Sequence, residues 1–489
     1  RSRTLRRAAL ILVAAVSAGI GIEATMSCGS TPQTNPPDGG APIHIGVSIA
    51  LQNDLGGTGT SLQNAVRVAE QQLNSYGGIL GRRVVFDVKD DQSKSDTTLT
   101  EIINGFLNAK DPAILGPIGS TQVSVAQQLS YNAKTIQLSA TATGIGLTDA
   151  QPSRDRYLFR TVPSDTYQAE ALAQFAYAGV ALFGGDAGTI PPVDAGPGDA
   201  GADAGGAGTP TPAGACRRMA IFYNNDDYGK PFEAALKPDF VKKGGQVILE
   251  TAVDSSAKAD YTAELTTLET QNPDCLALIV YDTTGDEIIH EIRLEQEEGK
   301  LSKNLLIIAT DGSYTPKFID QGKANGSDPN GTTSVQGVYG TNPDSNPSRL
   351  RQYGDFKNLY LSQYTLDPGQ VDLPGQVTNF YDAAILTALA IQAAGTTDDQ
   401  VKIRDSLFAV SRGTGPGATI VGPADVGLAL DTLRNGGSVN YEGASGNCDF
   451  DDNGDVVGDY IIWQVTKAAA DQPAVFTTVG KITASALAQ

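Results

Sequence analysis

Two short segments carry the residues best suited to hold a ligand, Gly119-Ser120-Thr121 and Ser139-Ala140-Thr141-Ala142-Thr143. Their side chains are small and mostly hydroxylated, so they offer hydroxyl groups and accessible backbone N–H groups as hydrogen-bond partners. Neither segment contains a histidine, a cysteine or a carboxylate that would act as a nucleophile or general base. This pattern predicts binding rather than covalent chemistry.

The composition narrows the chemistry further. The 489 residues include only two histidines, His44 and His290, which argues against a histidine-based metal centre or general base. Lys+Arg of 35 against Asp+Glu of 55 gives a net charge of −20, whereas a nucleic-acid partner requires a basic surface. Residues 449–454 resemble the start of a calcium loop, but Tyr460 stands where a bidentate Glu is required. We therefore expect a structural turn there, and no metal or cofactor.

The elements that position the two hydroxylated segments form an alternating series. Apolar strands are predicted at 44–51, 83–88, 113–118 and 135–139, and they alternate with helices at 62–74, 97–108 and 121–130. Such alternation is typical of a parallel sheet covered on both faces by helices. Both hydroxylated segments follow strands of this sheet, at the carboxyl ends where ligands bind in such folds.

A second series of the same kind begins near Thr166. Strands are predicted at 219–223, 246–252, 276–281, 304–309 and 335–340, and helices at 166–178, 230–243, 260–270 and 285–298. Residues 184–215 interrupt this series with a Gly, Ala, Asp and Pro-rich insert, which we expect to be a disordered loop that leaves the site unobstructed. Two similar α/β lobes in tandem place a cleft between them, and such clefts favour small molecules.

The rest of the chain completes the two lobes. Helices are predicted at 348–363, 376–394 and 400–410, and strands at 460–465 and near 475–479. The segment Tyr381–Leu386 is expected to be amphipathic and to pack on the first lobe.

The first residues have the pattern of an export signal. Four arginines within residues 1–7 precede an apolar run at 8–22, so residues 1–27 are predicted to be a signal peptide. The following Thr25-Met26-Ser27-Cys28-Gly29 resembles a lipobox, although Thr25 replaces the usual Leu, and it predicts lipidation of Cys28. A plain cleaved signal and an uncleaved anchor are the alternatives. Residues 28–42 are too polar to fold and are expected to form a tether.

Three further cysteines remain: Cys216, Cys275 and Cys448. Cys216 and Cys275 each precede a predicted strand, the first and third of the second lobe. These strands are neighbours in a sheet of order 2-1-3, so a Cys216–Cys275 disulfide is one interpretation. Three buried thiols are the other.

Several motifs together resemble one family. They are Ile45-Gly46-Val47, Asn74-Ser75-Tyr76-Gly77-Gly78-Ile79, Asp90-Asp91-Gln92, Gly116-Pro117-Ile118-Gly119-Ser120-Thr121, Asp226-Asp227-Tyr228-Gly229, and Phe450-Asp451-Asp452-Asn453-Gly454-Asp455 with Trp463. In this order they resemble the type I periplasmic binding proteins for branched-chain amino acids, the two-lobed receptors of ABC transporters. The resemblance covers about 43–480. It implies two Rossmann-like lobes joined by a three-strand hinge: lobe I at 43–162 and 342–445, and lobe II at 163–341 and 446–489, with crossings near 163, 341 and 445.

The resemblance also assigns roles on the lobe I wall. Ser120 would hold a ligand carboxylate by its hydroxyl and backbone N–H, and the N–H of Thr121 would assist at the start of a helix. Thr141 would offer its carbonyl oxygen to an α-ammonium group. Thr143 would offer its hydroxyl and N–H to both head groups.

On the lobe II wall the resemblance implies that Tyr228 closes over the ligand and that Asp311 pairs with the ammonium. Tyr281, or the adjacent Asp282, would line the side-chain pocket. Thr58 stands where the family often has an aromatic residue, which predicts a roomier or more polar pocket.

The function implied is capture of a small polar ligand, an amino acid or related zwitterion, by hinge closure and its delivery to an ABC permease. The protein would be exported and attached to a bacterial membrane by its lipid alone, with no enzymatic activity and no nucleic-acid partner. A sensing receptor that uses the same cleft and reports to a membrane sensor is the first alternative, and a two-lobed α/β enzyme is the second.

Overall fold

The computed structural model describes residues 39–179, 215–258, 260–324, 334–366, 370, 372–467 and 472–487. The expected signal peptide, Cys28, most of the tether and nearly all of the 184–215 insert lie outside these ranges. Within them, no helix has the length and apolar character needed to cross a membrane.

Lobe I is built on a five-stranded parallel sheet. Its strands β1 to β5 are ordered β2-β1-β3-β4-β5 and span Ile43–Ile49, Val84–Asp90, Ala113–Leu115, Ile136–Ser139 and Leu158–Arg160. Helices α1 (Gly59–Ser75), α2 (Thr97–Ala109) and α3 (Ser120–Asn132) connect the first four strands. The predicted strands and helices of this series are therefore present.

Lobe II repeats the arrangement after helix α4 (Asp165–Ala178). Strands β6 to β10 span Arg218–Asn224, Gln246–Val253, Cys275–Ile279, Leu306–Ala309 and Tyr339–Pro343. Helices α5 to α8 span Gly229–Lys242, Thr262–Gln271, Asp282–Glu297 and Pro316–Ala324. Cys216 and Cys275 form a disulfide with Cα atoms 5.7 Å apart, and Cys448 is a buried free thiol.

The chain then returns to lobe I. It forms helices α9 to α12, at Arg351–Leu361, Val377–Ala394, Gln400–Arg412 and Val426–Arg434, and a small sheet of β11 (Thr419–Val421), β12 (Val439–Gly443) and β13 (Gly446–Asn447). Strands β14 (Tyr460–Thr466) and β15 (Val475–Ile482) and helix α13 (Ala484–Leu487) finish lobe II. The seven-stranded sheet has the order β15-β14-β10-β9-β8-β6-β7, and β14 and β15 pair antiparallel at its edge.

Two expectations need correction. Helix α10 is not amphipathic: 17 of its 18 residues are buried, because it lies inside lobe I between α1 and α11. The third crossing does not lie near 445. Phe450 and Val456 belong to the lobe I core, and Phe450 packs edge-on against Phe159, so the chain leaves lobe I between Val456 and Tyr460.

Candidate functional site

A cavity of about 60 Å³ lies between the two lobes, at the carboxyl ends of their parallel strands. Six of the seven predicted ligand-binding residues line it: Ser120, Thr141, Thr143, Tyr228, Tyr281 and Asp311. The seventh, Thr121, lines an adjoining cavity instead, and its hydroxyl oxygen accepts a hydrogen bond from the backbone N–H of Asp227 at 3.3 Å. The fold thus brings together residues that are up to 191 positions apart in the sequence.

The lobe I wall presents hydrogen-bond donors. Helix α3 begins at Ser120, and Gly119, at its N-cap, has no side chain to accept from the first-turn N–H groups. Those N–H groups and the positive end of the helix dipole favour an anion. The Ser120 hydroxyl oxygen accepts a hydrogen bond from the backbone N–H of Gly144 at 3.1 Å, which fixes its position beside the cavity.

Hydrogen bonds from the rest of lobe I hold the loop that follows β4. The Thr141 hydroxyl donates to the Ile118 carbonyl oxygen at 2.6 Å, which links the two loops that follow β3 and β4. The guanidinium group of Arg160 donates to the carbonyl oxygens of Thr143 and Gly144, each at 3.0 Å. Arg160 is fully buried, and Asp455 neutralises its charge. The loop is therefore rigid where it meets the cavity.

The lobe II wall is aromatic and acidic. Tyr228 donates its hydroxyl hydrogen to Asp311 Oδ1 at 2.8 Å and stacks on Tyr281 with ring centres 5.5 Å apart. Asp311 follows β9, and its Oδ2 accepts a hydrogen bond from the Thr143 hydroxyl of lobe I at 3.3 Å. Burial raises the pKa of Asp311, against the hydrogen bond from Tyr228, which lowers it.

Asp165, which no sequence motif singles out, lies behind this acidic wall at the start of α4. Asp165 is fully buried, and neither of its carboxylate oxygens accepts a hydrogen bond from the described residues. Burial, and next the charge of Asp311, raise its pKa well above the usual value. The sequence gives little reason to select Asp165 as a site residue, because an aspartate directly after Ser164 is typical of the first turn of a helix. Together Asp165 and Asp311 form a buried acidic pair suited to a cation.

Within the described ranges no group of three or more His, Cys, Asp or Glu residues is arranged to hold a metal ion. The 449–454 segment forms a turn, in which the Asp451 carboxylate accepts hydrogen bonds from the backbone N–H groups of Asn453 and Asp455 at 2.7 and 3.0 Å. This agrees with the structural turn expected from the sequence.

Comparison with known proteins gives a consistent picture. A family described as "Periplasmic binding protein" matches residues 42–470. The chemotactic signal transduction system substrate-binding protein BasB of Halobacterium salinarum is 24% identical over 447 residues, which cover 88% of this chain and 89% of BasB.

Solved structures share the fold at low sequence identity. The leucine-binding protein LivK of Thermotoga maritima superposes with a TM-score of 0.66 at 19% identity, over 90% of this chain and 99% of LivK. LivJ of Streptococcus pneumoniae, a branched-chain amino acid transporter substrate-binding protein in complex with isoleucine, gives 0.64 at 17% identity, over 89% of this chain and all of LivJ.

Proposed function

The chain belongs to the periplasmic binding protein family, and we propose that it captures an α-amino acid or a related zwitterion between its two lobes. The observation that carries this proposal is the pairing of opposite electrostatic walls across one cavity. The uncapped start of α3 and the Ser120 hydroxyl lie on one side, and Asp311, backed by Asp165, lies on the other.

These walls match the two charges of a zwitterion. A ligand carboxylate would accept hydrogen bonds from neutral donors of lobe I, while its ammonium group would donate to Asp311 and to the hydroxyl of Thr143. The ammonium would also neutralise a buried acidic pair whose ionised form is costly without a counter-ion. An anion without an ammonium group would leave that pair uncompensated.

Binding would be coupled to hinge closure. Ser120 and Thr143 belong to lobe I, whereas Tyr228 and Asp311 belong to lobe II, so a ligand contacts all four only when the lobes are together. The ligand therefore stabilises the closed form by its differential affinity for it. A closed, liganded surface is the form that an ABC permease would receive.

Substitution of Asp311 tests the proposal. We expect Asp311→Ala to weaken binding of the preferred amino acid by about 2 kcal/mol or more, roughly thirtyfold in Kd, because a buried ammonium group loses its charged partner. Calorimetric titration with a panel of amino acids gives the affinity. Asp431→Ala is the matched control, since Asp431 is an exposed aspartate on α12. Equal affinities of Asp311→Ala and the unaltered protein would remove the ammonium assignment.

A sensing role is the alternative to delivery. The similarity to a protein named for chemotactic signal transduction supports this alternative. Genes for a permease and an ATPase beside this one would support delivery, and a neighbouring kinase would support sensing. We further propose export and membrane attachment through lipid on Cys28, which Cys28→Ser would abolish in a lipid-labelling experiment. The family binds solutes and is not a family of enzymes, and we propose no catalytic activity.

A further inference from the structure

The head groups of the proposed zwitterion take one part of the interlobe cavity, between Ser120 and Asp311. The rest of the lining surrounds whatever the ligand carries on its α-carbon. Apart from Tyr281, the polar residues of this remaining lining are Asp54, Thr58, Asp282, Thr315 and Gln376. An aliphatic ligand side chain would remove these groups from water without returning a hydrogen bond, which is unfavourable.

Three of these polar residues already have partners in the protein. The Thr315 hydroxyl donates to Asp282 Oδ2 at 2.8 Å, and Lys317 lies 3.5 Å from the same carboxylate. The Asp54 carboxylate accepts a hydrogen bond from the Ser256 hydroxyl at 3.2 Å. None of the three requires a hydrogen bond from a ligand.

Thr58 and Gln376 differ from these three. Each side chain is partly exposed, and neither makes a hydrogen bond with the described residues. Thr58 is the N-cap of α1, where a threonine hydroxyl commonly accepts a hydrogen bond from the first turn, but it makes no such bond. A hydroxyl and a carboxamide each supply a donor and an acceptor, so both remain available to a ligand.

The backbone of Gln376 is also in an unusual conformation. Its φ of 66° and ψ of 2° lie in the left-handed region, where glycine is favoured and glutamine is uncommon. Of the described non-glycine residues with positive φ, Gln376 is the one that lines the interlobe cavity. Glycine would form the turn before α10 more easily, so the turn alone does not explain a glutamine there. An unpartnered carboxamide on such a backbone indicates a role in binding.

The charges and helix ends around the cavity favour a neutral partner for these two side chains. Asp54 and Asp282 disfavour a negatively charged ligand side chain, and no Lys, Arg or His lines the cavity among the residues that the structure describes. Helices α1 and α10 begin at Thr58 and Gln376 without a side-chain cap, so the positive ends of their dipoles disfavour a cation there. A neutral group that both donates and accepts has neither cost.

We propose that Gln376 determines specificity, and that the ligand is an amino acid whose side chain carries a carboxamide or an aliphatic hydroxyl and pairs with Gln376 and Thr58. This inference rests on the proposed function, because the α-carboxylate and α-ammonium groups take the head-group part of the cavity. It names the class of side chain that the polar remainder of the lining selects.

A panel of the standard amino acids tests the proposal by calorimetry on the unaltered protein. L-threonine and L-valine have nearly the same shape and differ in one polar group, and so do L-asparagine and L-leucine. We expect the tightest-binding amino acid to carry a carboxamide or an aliphatic hydroxyl, and to bind about tenfold or more tightly than the apolar amino acid closest to it in shape. If another amino acid binds most tightly and Asp311→Ala weakens its binding, this inference is wrong while the proposed function stands. If no amino acid binds, both fail.

Gln376→Gly separates a binding role from a structural one. Glycine adopts a φ of 66° without strain, so the melting temperature of the ligand-free protein should change little. The preference for the polar amino acid over its apolar counterpart should fall about tenfold, since the carboxamide is lost. Gln376→Asn keeps a carboxamide and should retain part of the preference, and Thr58→Val should reduce it.

Lys110→Gly is the matched control. Lys110 has a φ of 62°, is exposed, and lies between α2 and β3, at the end of the sheet opposite the cleft. This variant makes the same kind of backbone change and should leave the preference for the polar amino acid unaltered. If Gln376→Gly retains the preference as fully as Lys110→Gly does, Gln376 does not determine specificity and the assignment is overturned.

Discussion

At the scale of single residues, the acidic pair governs the chemistry of the cleft. Burial raises the pKa values of both Asp165 and Asp311, and the charge of Asp311 raises the pKa of Asp165 further. Because these pKa values are raised in the folded state, the two carboxyl groups contribute most to the free energy of unfolding of the ligand-free protein at low pH. This contribution is lost as the pH rises through the raised values. A bound ammonium group reverses the preference, because it favours the ionised carboxylates.

This reversal predicts proton release on binding. Above pH 3.8, the ordinary value for Asp165, the ligand-free pair retains a proton that the ammonium displaces, so affinity should rise with pH, by at most about tenfold per pH unit for one proton. Calorimetry between about pH 4 and pH 7, in buffers of different ionisation enthalpy, measures the number of protons released. Asp165→Asn should reduce that number and flatten the dependence.

Asp111→Asn serves as the control for this experiment. Burial raises the pKa of Asp111 to about 6, but Asp111 precedes β3 and lies at the opposite end of the sheet from the cleft. Its substitution should alter the pH dependence of stability without altering ligand-linked proton release. The same proton release from Asp165→Asn and the unaltered protein would contradict a role for the pair.

Asp311 and Asp165 illustrate which residues of the site can be predicted from the sequence and which cannot. Asp311 follows a predicted strand, and its position within the family resemblance is enough to place it at the cleft. Asp165 begins a helix, where an aspartate is common for reasons unrelated to function. Its burial results from the meeting of α4 with the loop after β4, where its backbone N–H donates to the Thr143 carbonyl oxygen at 2.9 Å. Contacts of this kind follow from tertiary packing and leave no local pattern.

At the scale of elements, the turn at 451–455 ties the last crossing segment to the end of β5. The Asp455 carboxylate accepts two hydrogen bonds from the Arg160 guanidinium, both at 2.7 Å, and a third from the Thr148 hydroxyl at 2.7 Å. Arg160 also donates to the Thr143 carbonyl oxygen, so this ion pair connects the last crossing segment with the loop that lines the interlobe cavity.

Removal of this carboxylate should be strongly destabilising. Asp455→Ala leaves the fully buried Arg160 without its counter-ion, and breaking a buried ion pair in this way costs about 3–5 kcal/mol. The melting temperature and the urea midpoint of the ligand-free protein measure the loss. Asp452→Ala is the matched control from the same turn: its ion pair with Arg154 lies at the surface, so we expect a much smaller change. Equal decreases in melting temperature for the two variants would show that the buried ion pair stabilises the fold no more than the surface ion pair does.

The same scale shows where sequence periodicity succeeds and where it fails. Long strands and helices such as β6 and α1 carry several apolar positions and were predicted within a few residues of their observed ends. Strand β5 has three residues and ends in the charged Arg160, so it lacks the apolar run that marks β3, and the sequence does not predict it. The sequence predicts the bounds of helix α10 within one residue, but it wrongly predicts an amphipathic helix. The helix is buried on all sides and therefore has no polar face.

At the scale of the whole molecule, the two lobes lie close together, and few direct bonds join them across the cleft. Among the described residues, four hydrogen bonds that involve a side chain cross it, all at 3.2–3.4 Å, at or beyond the long end of the usual range: Thr143 to Asp311, Asp227 to Thr121, Ser256 to Asp54, and Lys317 to Asn53. The backbone bond from Asp165 to Thr143 joins the lobes beside the first crossing. Contacts this weak leave the closed form dependent on its ligand, as capture and release require.

Gly57 tests whether closure of this kind is needed for binding. A Cβ atom at Gly57 of lobe I would lie 2.7 Å from Asp282 Oδ2 and 3.2 Å from Lys317 Cβ, both in lobe II. Asp282 cannot yield easily, since it is buried and held by hydrogen bonds from Thr283 and Thr315. We therefore expect Gly57→Val to hold the lobes apart and to weaken binding by about tenfold or more.

Small-angle scattering and calorimetry together measure this effect. With saturating ligand the radius of gyration of the unaltered protein should decrease, whereas that of Gly57→Val should remain at the ligand-free value. Gly105→Val is the control, because a Cβ atom at Gly105, on α2, meets no other atom within 4 Å. If Gly57→Val contracts and binds as the control does, the lobes need not approach as closely as they do in this structure, and the ligand must then be held without the contact between Thr143 and Asp311.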